Sequence, residues 1–261
     1  MKLRDLLQLI DKVHTKYNTS IPYICGGLPR DKYLNRLLSV ADVDFTTGDE
    51  TINTLSLGTY RVLKRKFNIK REKKQDGHSS IYFNNMKIDF SSNYTAPNID
   101  IHLKKIGISN ATSLQKEAYS RDFGCNSLLL SMDFKQLLDP TNQGFKDCDN
   151  KIIKPLISPE VTFAVNPETG MNNRAIRAIY LACKLDFTID PTTVNYIKNN
   201  PYLIEQSEPK TLAKKINKAY QLNPEKAKYY LDKMNLYNYI PINSMLSDQV
   251  LELLSNRVSN V

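Results

Sequence analysis

Two aspartates one residue apart, Asp42 and Asp44 in the run DVDFTT, are the residues of this 261-residue chain whose types and spacing most plainly invite chemistry. Side chains alternate along a strand, so both carboxylates share one face while Val43 and Phe45 turn into the protein. Like charges held side by side repel, and a divalent cation between them is the usual remedy. A lone D-x-D reads more simply as a turn residue beside a solvated acid, but Gly26-Gly27 and Arg30-Asp31 stand upstream. Ile21 to Cys25 reads as a buried strand entering the diglycine, and Leu28 to Leu38 as a helix with Pro29 in its first turn, where proline is tolerated. Strand, glycine turn and helix N-terminus together make an anion site. Glycine lets the backbone approach a phosphate, and free N–H groups and the helix dipole favour negative charge there. Arg30 adds a cation to the same spot, and Asp31 reads as its ion-pair partner or a turn cap rather than as a metal ligand.

A third acid comes from a predicted hairpin: Ser79 to Phe83, a polar turn at Asn84-Asn85, then Met86 to Phe90. Asp89 sits there between Ile88 and Phe90, placed to face Asp42 and Asp44 across a sheet. Before the hairpin, Tyr60 to Lys74 holds Arg61, Lys64, Arg65, Lys66, Lys70, Arg71, Lys73 and Lys74 against one acid, Glu72. Such a run is either a solvated face and loop or a surface that meets phosphates.

The elements that must position these groups need a sizeable core, and 261 residues with 41% hydrophobic and 24% charged side chains supply one, in two or three subdomains. The net charge is +9. It divides into +5 through residue 150 (22 basic, 17 acidic) and +4 beyond it (14 basic, 10 acidic), as suits a partner that runs along the molecule, such as a nucleic acid. Cys25, Cys125, Cys148 and Cys183 show no C-x-x-C spacing, so neither a zinc cluster nor a disulfide framework is indicated, and Cys25, Cys125 and Cys183 read as small core residues. MKLRDLLQLIDKVHTKY spaces Leu3, Leu6, Leu7, Ile10 and Val13 as a packed amphipathic helix rather than a signal peptide. No apolar run reaches the roughly 18 residues of a membrane span, so no membrane partner and a cytoplasmic location are expected.

Asp49 to Leu57 reads as a short helix begun by Thr47 or Asp49, and Asn93 to Ser113 carries few periodic signals. LQKEAYSRDFGCNSLLLSM, from Leu114, reads as a helix in two pieces around Arg121-Asp122 and Gly124, and Gln136 to Asp149 as short strand and turns. Ile176 to Leu185 is an apolar helix preceded by Arg174 and Arg177, which share one face. Thr192 to Asn199, Lys210 to Leu222, Pro224 to Met234 and Ser247 to Val258 are further helices, separated by Pro201, Pro209, Pro224 and Pro241. An α/β front half followed by a helical back half, with a boundary near residues 140 to 160, is the predicted order.

GGLPRD, Leu34-Asn35 and DVDFTT together resemble the catalytic motif GG-x-x-RD-x-x-LG…D-x-D of the class II polymerase-β-like nucleotidyltransferases, the bacterial-type poly(A) polymerases and tRNA CCA-adding enzymes. HSSIYFNNMKIDFSS is similar to the family's hairpin and third carboxylate, SRDFGCNSLLL to its RRDFTINAL motif, LLDPTNQGFKDCDN to its D-P…G…D segment, and NRAIRAIYLACKLDF to its base-reading helix. The resemblance implies an α+β protein: a small mixed-sheet palm domain (1–140), a helical neck that contacts the base (141–190) and a short helical body that binds RNA (191–261). It implies two Mg²⁺ ions, with Mn²⁺ an alternative, on Asp42 and Asp44, with Asp89 assisting at the primer 3′-hydroxyl. Gly26, Gly27, Arg30, Asp31, Arg121, Asp122 and Asn126 would serve the triphosphate and ribose, and Arg174 and Arg177 the base or phosphates. Arg121 and Asp122 also read as an internal ion pair stabilising a bent helix.

Three departures qualify the match. The spacer before D-x-D is about two residues longer than the family's, Asn35 replaces the usual glycine, and the two acids expected ahead of the base-reading helix fall on Gly170 and Met171, with Glu168 the nearest acid. The expected activity is template-independent addition of nucleotides from ATP, with CTP a second donor, to the 3′ end of a tRNA or other RNA. Poly(A)-type tailing is preferred to CCA addition because the base-reading acid is missing and the helical tail ends at residue 261. An inactive RNA-binding module and a transferase with a protein or small-molecule acceptor are the readings from other classes.

Overall fold

In the computed structural model the described residues are 2–37, 42–73, 78–83, 86–91, 93–96, 98–163, 173–205, 207–240 and 245–258. The expected turn at Asn84-Asn85, the helix end at Leu38, Lys74, Pro241, and the positions Glu168, Gly170 and Met171 lie outside them. The chain forms two units, Met1–Cys148 and Asp149–Val261.

The first unit contains α1 (Leu3–Tyr17), β1 (Tyr23–Cys25), α2 (Gly27–Tyr33), β2 (Asp42–Thr46), α3 (Thr51–Lys64), β3 (Lys70–Lys73), β4 (Ser79–Phe83) and β5 (Met86–Phe90). After these come α4 (Ile99–Lys105), α5 (Ser113–Tyr119), β6 (Leu129–Leu130), β7 (Leu137–Leu138) and α6 (Gly144–Asp149). The strands make one mixed sheet in the order β3-β4-β5-β2-β1-β6-β7, with β2 and β5 parallel. Its inward face carries Ile24, Val43, Phe45, Ile81, Ile88 and Phe90, which pack in one core with Leu6, Ile10 and Val13 of α1 and Ile52, Leu55 and Leu63 of α3. Every second residue of these strands therefore points away from that core, as the period of two requires.

Three boundaries differ from expectation. β1 begins at Tyr23 rather than Ile21, because Pro22 has no N–H for the ladder. α2 stops at Tyr33 because Asn35 turns left-handed, at φ 55°. Asparagine tolerates that conformation best after glycine, so Asn35 does what the family's glycine would do. α3 continues seven residues past Leu57, through Gly58. A Cβ at Gly58 would stand 2.7 Å from Val13 Cγ1 and 3.0 Å from the Tyr17 ring, so this glycine lets α1 and α3 approach closely.

Among its described residues the second unit builds its regular structure from helices and a two-residue parallel ladder of β8 (Ile152–Ile153) and β9 (Thr188–Ile189). Its helices are α7 (Pro159–Thr162), α8 (Arg174–Leu185), α9 (Pro191–Asn199), α10 (Pro209–Leu222), α11 (Pro224–Lys233) and α12 (Asp248–Val258). Pro191, Pro209 and Pro224 each open a helix, where a missing N–H removes nothing, and the Asp190, Glu208 and Asn223 side chains cap those helices. No described helix is long and apolar enough to cross a membrane.

Candidate functional site

The outward face of the sheet assembles the predicted carboxylates. Asp42 is exposed and Asp44 half-buried, while Val43 and Phe45 between and beyond them are fully buried. On β5, Asp89 is the direct register partner of Asp44, and Lys87 that of Asp42. Three acids thus stand together on two adjacent strands. Asp89 is held by Ser80 Oγ and by Lys87 Nζ, both of which donate to its carboxylate.

Gly26 is required by this arrangement twice over. Its φ of +77° disfavours any side chain, and a Cβ there would meet Asp44 Oδ2 at 2.3 Å. The Asp44 carboxylate therefore rests against bare backbone at the strand-to-helix turn. Arg30 lies in the first turns of α2 and is 2% exposed. Its Nε and Nη2 donate to Asp31 Oδ1 at 2.9 and 2.6 Å, and its Nη1 donates to Asn126 Oδ1. Asn126 Nδ2 in turn donates to Asp122 Oδ1 at 2.9 Å, which also accepts the Phe123 N–H at 2.9 Å. Four residues singled out from the sequence, Arg30, Asp31, Asp122 and Asn126, form one continuous network, and Asp31 is the ion-pair partner of Arg30.

Arg121 does not pair with Asp122. It donates to Glu117 Oε1 at 2.8 Å, one helical turn back, and to Ser91 Oγ at 3.0 Å. Ser91 Oγ and Asn93 Nδ2 also donate to Glu117 Oε1, at 2.7 and 3.0 Å. The internal-ion-pair reading is corrected accordingly, because Asp122 is committed to Asn126 and the Phe123 amide. Burial alone would lower the Arg121 pKa; the Glu117 and Asp44 carboxylates beside it, with the Glu117 hydrogen bond, outweigh this and hold it above the ordinary arginine value. Glu117, fully buried, was not singled out in the sequence, although its spacing four residues before Arg121 was a readable signal.

All four cysteines are buried and free. Burial pushes the Cys25 thiol up to about 12, against the lowering effect of Arg121, so Cys25 fills space beside Asp44 as a neutral group. Arg174 and Arg177 belong to the second unit, both half-buried on one face of α8, and Arg174 Nη1 donates to the Thr162 carbonyl at 2.8 Å.

Among the described residues no group of three or more His, Cys, Asp or Glu is arranged to hold a metal ion. The donor set nevertheless fits a hard divalent cation, because Mg²⁺ is ordinarily held by one or two carboxylates plus substrate phosphates rather than by an all-protein cage. Asp42 and Asp44 share a face beside the glycine turn where a phosphate would sit.

Residues 22–154, more than half of the chain, match the family described as the poly A polymerase head domain, and the chain belongs to that family. This places it in the polymerase-β-like nucleotidyltransferase family of poly(A) polymerases and CCA-adding enzymes. The tRNA nucleotidyltransferase cca2 of Schizosaccharomyces pombe is 28% identical over 191 residues, which cover 67% of this chain and 38% of that protein. A CCA-adding enzyme of Ligilactobacillus salivarius is 29% identical over 144 residues, covering 55% of this chain and 33% of that protein. The chain thus spans well under half the length of these relatives. Among solved structures, the Thermotoga maritima CCA-adding enzyme complexed with tRNA superposes with a TM-score of 0.67 at 21% identity, over 90% of this chain and 51% of that one. A tRNA nucleotidyltransferase complexed with a primer tRNA and an ATP analog gives 0.64 at 22% identity, over 93% and 65%. These names lend no support to the poly(A) preference drawn from the sequence, which rested on residues 170 and 171 and on where the chain ends.

Proposed function

We propose that this chain transfers nucleotides from NTPs to the 3′ end of RNA, and that its acceptor is a tRNA lacking its terminal CCA. The observation that carries the chemistry is the register of Asp44 with Asp89 beside Asp42, behind the Gly26 turn. The choice of acceptor and of CTP and ATP as donors is supported by the tRNA nucleotidyltransferases and CCA-adding enzymes to which the chain is similar.

In this reading Asp42 and Asp44 would hold two Mg²⁺ ions. Bound there, such ions lower the pKa of the attacking hydroxyl and neutralise the triphosphate as pyrophosphate leaves. Asp89, fixed by Ser80 and Lys87, accepts the hydrogen bond of the primer 3′-hydroxyl and orients it. Gly26 and Gly27 open the backbone to the triphosphate at the N-terminus of α2, and Arg30 supplies positive charge. The Asp31–Arg30–Asn126–Asp122 network keeps that guanidinium fixed, so little reorganisation accompanies reaction. Arg121 stabilises the Asp44 carboxylate from behind. Residues 1–140 carry this catalysis, 141–190 contribute Arg174 and Arg177 to the base, and 191–261 bind RNA.

The test is to offer the purified protein each NTP, singly and together, with a tRNA lacking CCA and with an unstructured RNA. Ordered addition of C, C and A to the tRNA is expected. Extension of both RNAs with ATP alone contradicts the acceptor and donor assignment, and absence of any extension contradicts the transferase reading.

A further inference from the structure

The outward face of the sheet carries a second row that the carboxylates do not explain. Strand register aligns Lys70 of β3 with Tyr82 of β4, Tyr82 with Lys87 of β5, and Lys87 with Asp42 of β2. Adjacent strands lie about 4.8 Å apart, so this row runs about 14 Å from the edge of the sheet to a catalytic carboxylate. The neighbouring row, Glu72, Ser80, Asp89 and Asp44, is acidic and polar, so the two rows differ in character.

The row opens into a groove of about 530 Å³ lined by Asn68, Lys70, Tyr82, Phe83, Met86 and Lys87. Phe83 is buried on the opposite, inward face of the sheet, where its ring stands 5.1 Å from that of Phe67. Tyr82 is half-exposed on the outward face, placed by the register between Lys70 and Lys87. Lys70 is the exposed end on the edge strand, 72% accessible and paired with Glu72, while Lys87 pairs with Asp89, so an RNA phosphate competes with a carboxylate at each lysine. Arg71 leaves the row: its Nε donates to Ser56 Oγ at 3.1 Å toward α3.

We propose that the Lys70–Tyr82–Lys87 row is the track for the single-stranded 3′ end of the acceptor RNA, with a base stacked on Tyr82 and phosphates at the two lysines. An aromatic ring between cations is what a single-stranded nucleic acid requires: the ring stacks any base, and the cations follow the backbone. Direction follows from the register, since a strand laid along the row delivers its end to Asp42. A surface with lysines alone would attract any polyanion, and the tyrosine between them makes a nucleic acid the better fit. The inference rests on the transferase reading only for which RNA end lies at Asp42.

The test measures binding of an unstructured RNA of about ten nucleotides by fluorescence anisotropy at two salt concentrations, alongside extension of a tRNA lacking CCA. Tyr82→Ala is expected to weaken RNA binding about tenfold, and Tyr82→Phe, which keeps the ring, to stay within about twofold of wild type. Lys70→Glu sits at an exposed position where folding is not at risk; it should weaken binding about fivefold and reduce the salt slope by about 0.7 or more. ATP affinity should be unchanged in all three. RNA binding by Tyr82→Ala and Lys70→Glu equal to wild type overturns the track, as does competition by polyglutamate as effective as competition by RNA. Wild-type protein that binds RNA through Tyr82 yet extends none leaves the track standing and removes the transferase reading. Wild-type extension with no effect of either variant does the reverse.

Discussion

The chain contains two Arg-Asp dipeptides in its candidate site, and the fold treats them differently. Arg30 pairs with its own neighbour, Asp31, whose side chain is 22% exposed. Arg121 turns away from Asp122 and back to Glu117, whose side chain is 0% exposed. Asn126 ties the two regions together, accepting from Arg30 and donating to Asp122. The difference lies in what the acid can reach. Asp31, in the second half of α2, keeps access to solvent, whereas Glu117 is closed off; both guanidiniums are themselves largely buried. Under the proposed function Arg30 meets the triphosphate, while Arg121, with its buried acid, stays behind Asp44.

The largest effect that tests this contrast is on stability. Glu117→Ala should cost about 3–5 kcal/mol in urea unfolding, because it leaves the Arg121 charge with no acid partner in a buried setting. Glu117→Leu combined with Arg121→Met should recover most of that loss. A Glu117→Ala loss below about 1 kcal/mol, the range of exposed pairs, would erase the distinction. Arg30→Lys comes next. It keeps the charge but loses the planar fork to Asp31 and Asn126, so we expect about tenfold weaker ATP binding by calorimetry and about 1–2 kcal/mol of stability. Unchanged ATP affinity with a stability loss as large as that of Glu117→Ala would make Arg30 a second structural arginine.

The smallest expected effect lies at Asp49, whose carboxylate accepts the Thr51 N–H at 3.0 Å at the start of α3. Burial would raise its pKa, but hydrogen bonds from Ser20, Thr51 and Thr47 prevail and hold it below its ordinary 3.8. A depressed folded-state value means that its charge stabilises the fold above pH about 3.8 and that this contribution is lost as pH falls through the folded-state value. Asp49→Asn should lower the Tm slightly at pH 7, with the gap to wild type closing on acidification. A gap that widens as pH falls would reverse the sign of the argument.

Much of this was legible in the sequence because it depends on short periods. Alternation placed Asp42 and Asp44 outward, and the hairpin strands fall at Ser79–Phe83 and Met86–Phe90 as expected. Among its described residues the tract from Asn93 to Ser113 holds the 3-10 turn Asn93–Thr95 and the seven-residue helix α4, elements too brief to show a period. Gly58 looked like the end of a helix, since glycine costs about 1 kcal/mol there, and its reason lies in α1, which local sequence cannot display. The partner of Arg121 was legible only in part, through the four-residue spacing of Glu117. Asp122 is adjacent and Glu117 reads as one more helix acid, so only burial decides between them. The row from Lys70 to Asp42 depends on the register of four strands, information that pairing supplies and composition does not.

The central claim is that Asp42 and Asp44 form the cation-binding pair of an RNA nucleotidyltransferase. It is tested most directly by Mg²⁺-dependent incorporation of labelled CTP and ATP into a tRNA lacking CCA, comparing wild type with Asp42→Asn and Asp44→Asn. A loss of about 10³-fold or more is expected in each variant, with thermal unfolding unchanged because an isosteric neutral group relieves like-charge repulsion. Turnover at the wild-type rate in either folded variant would contradict that claim.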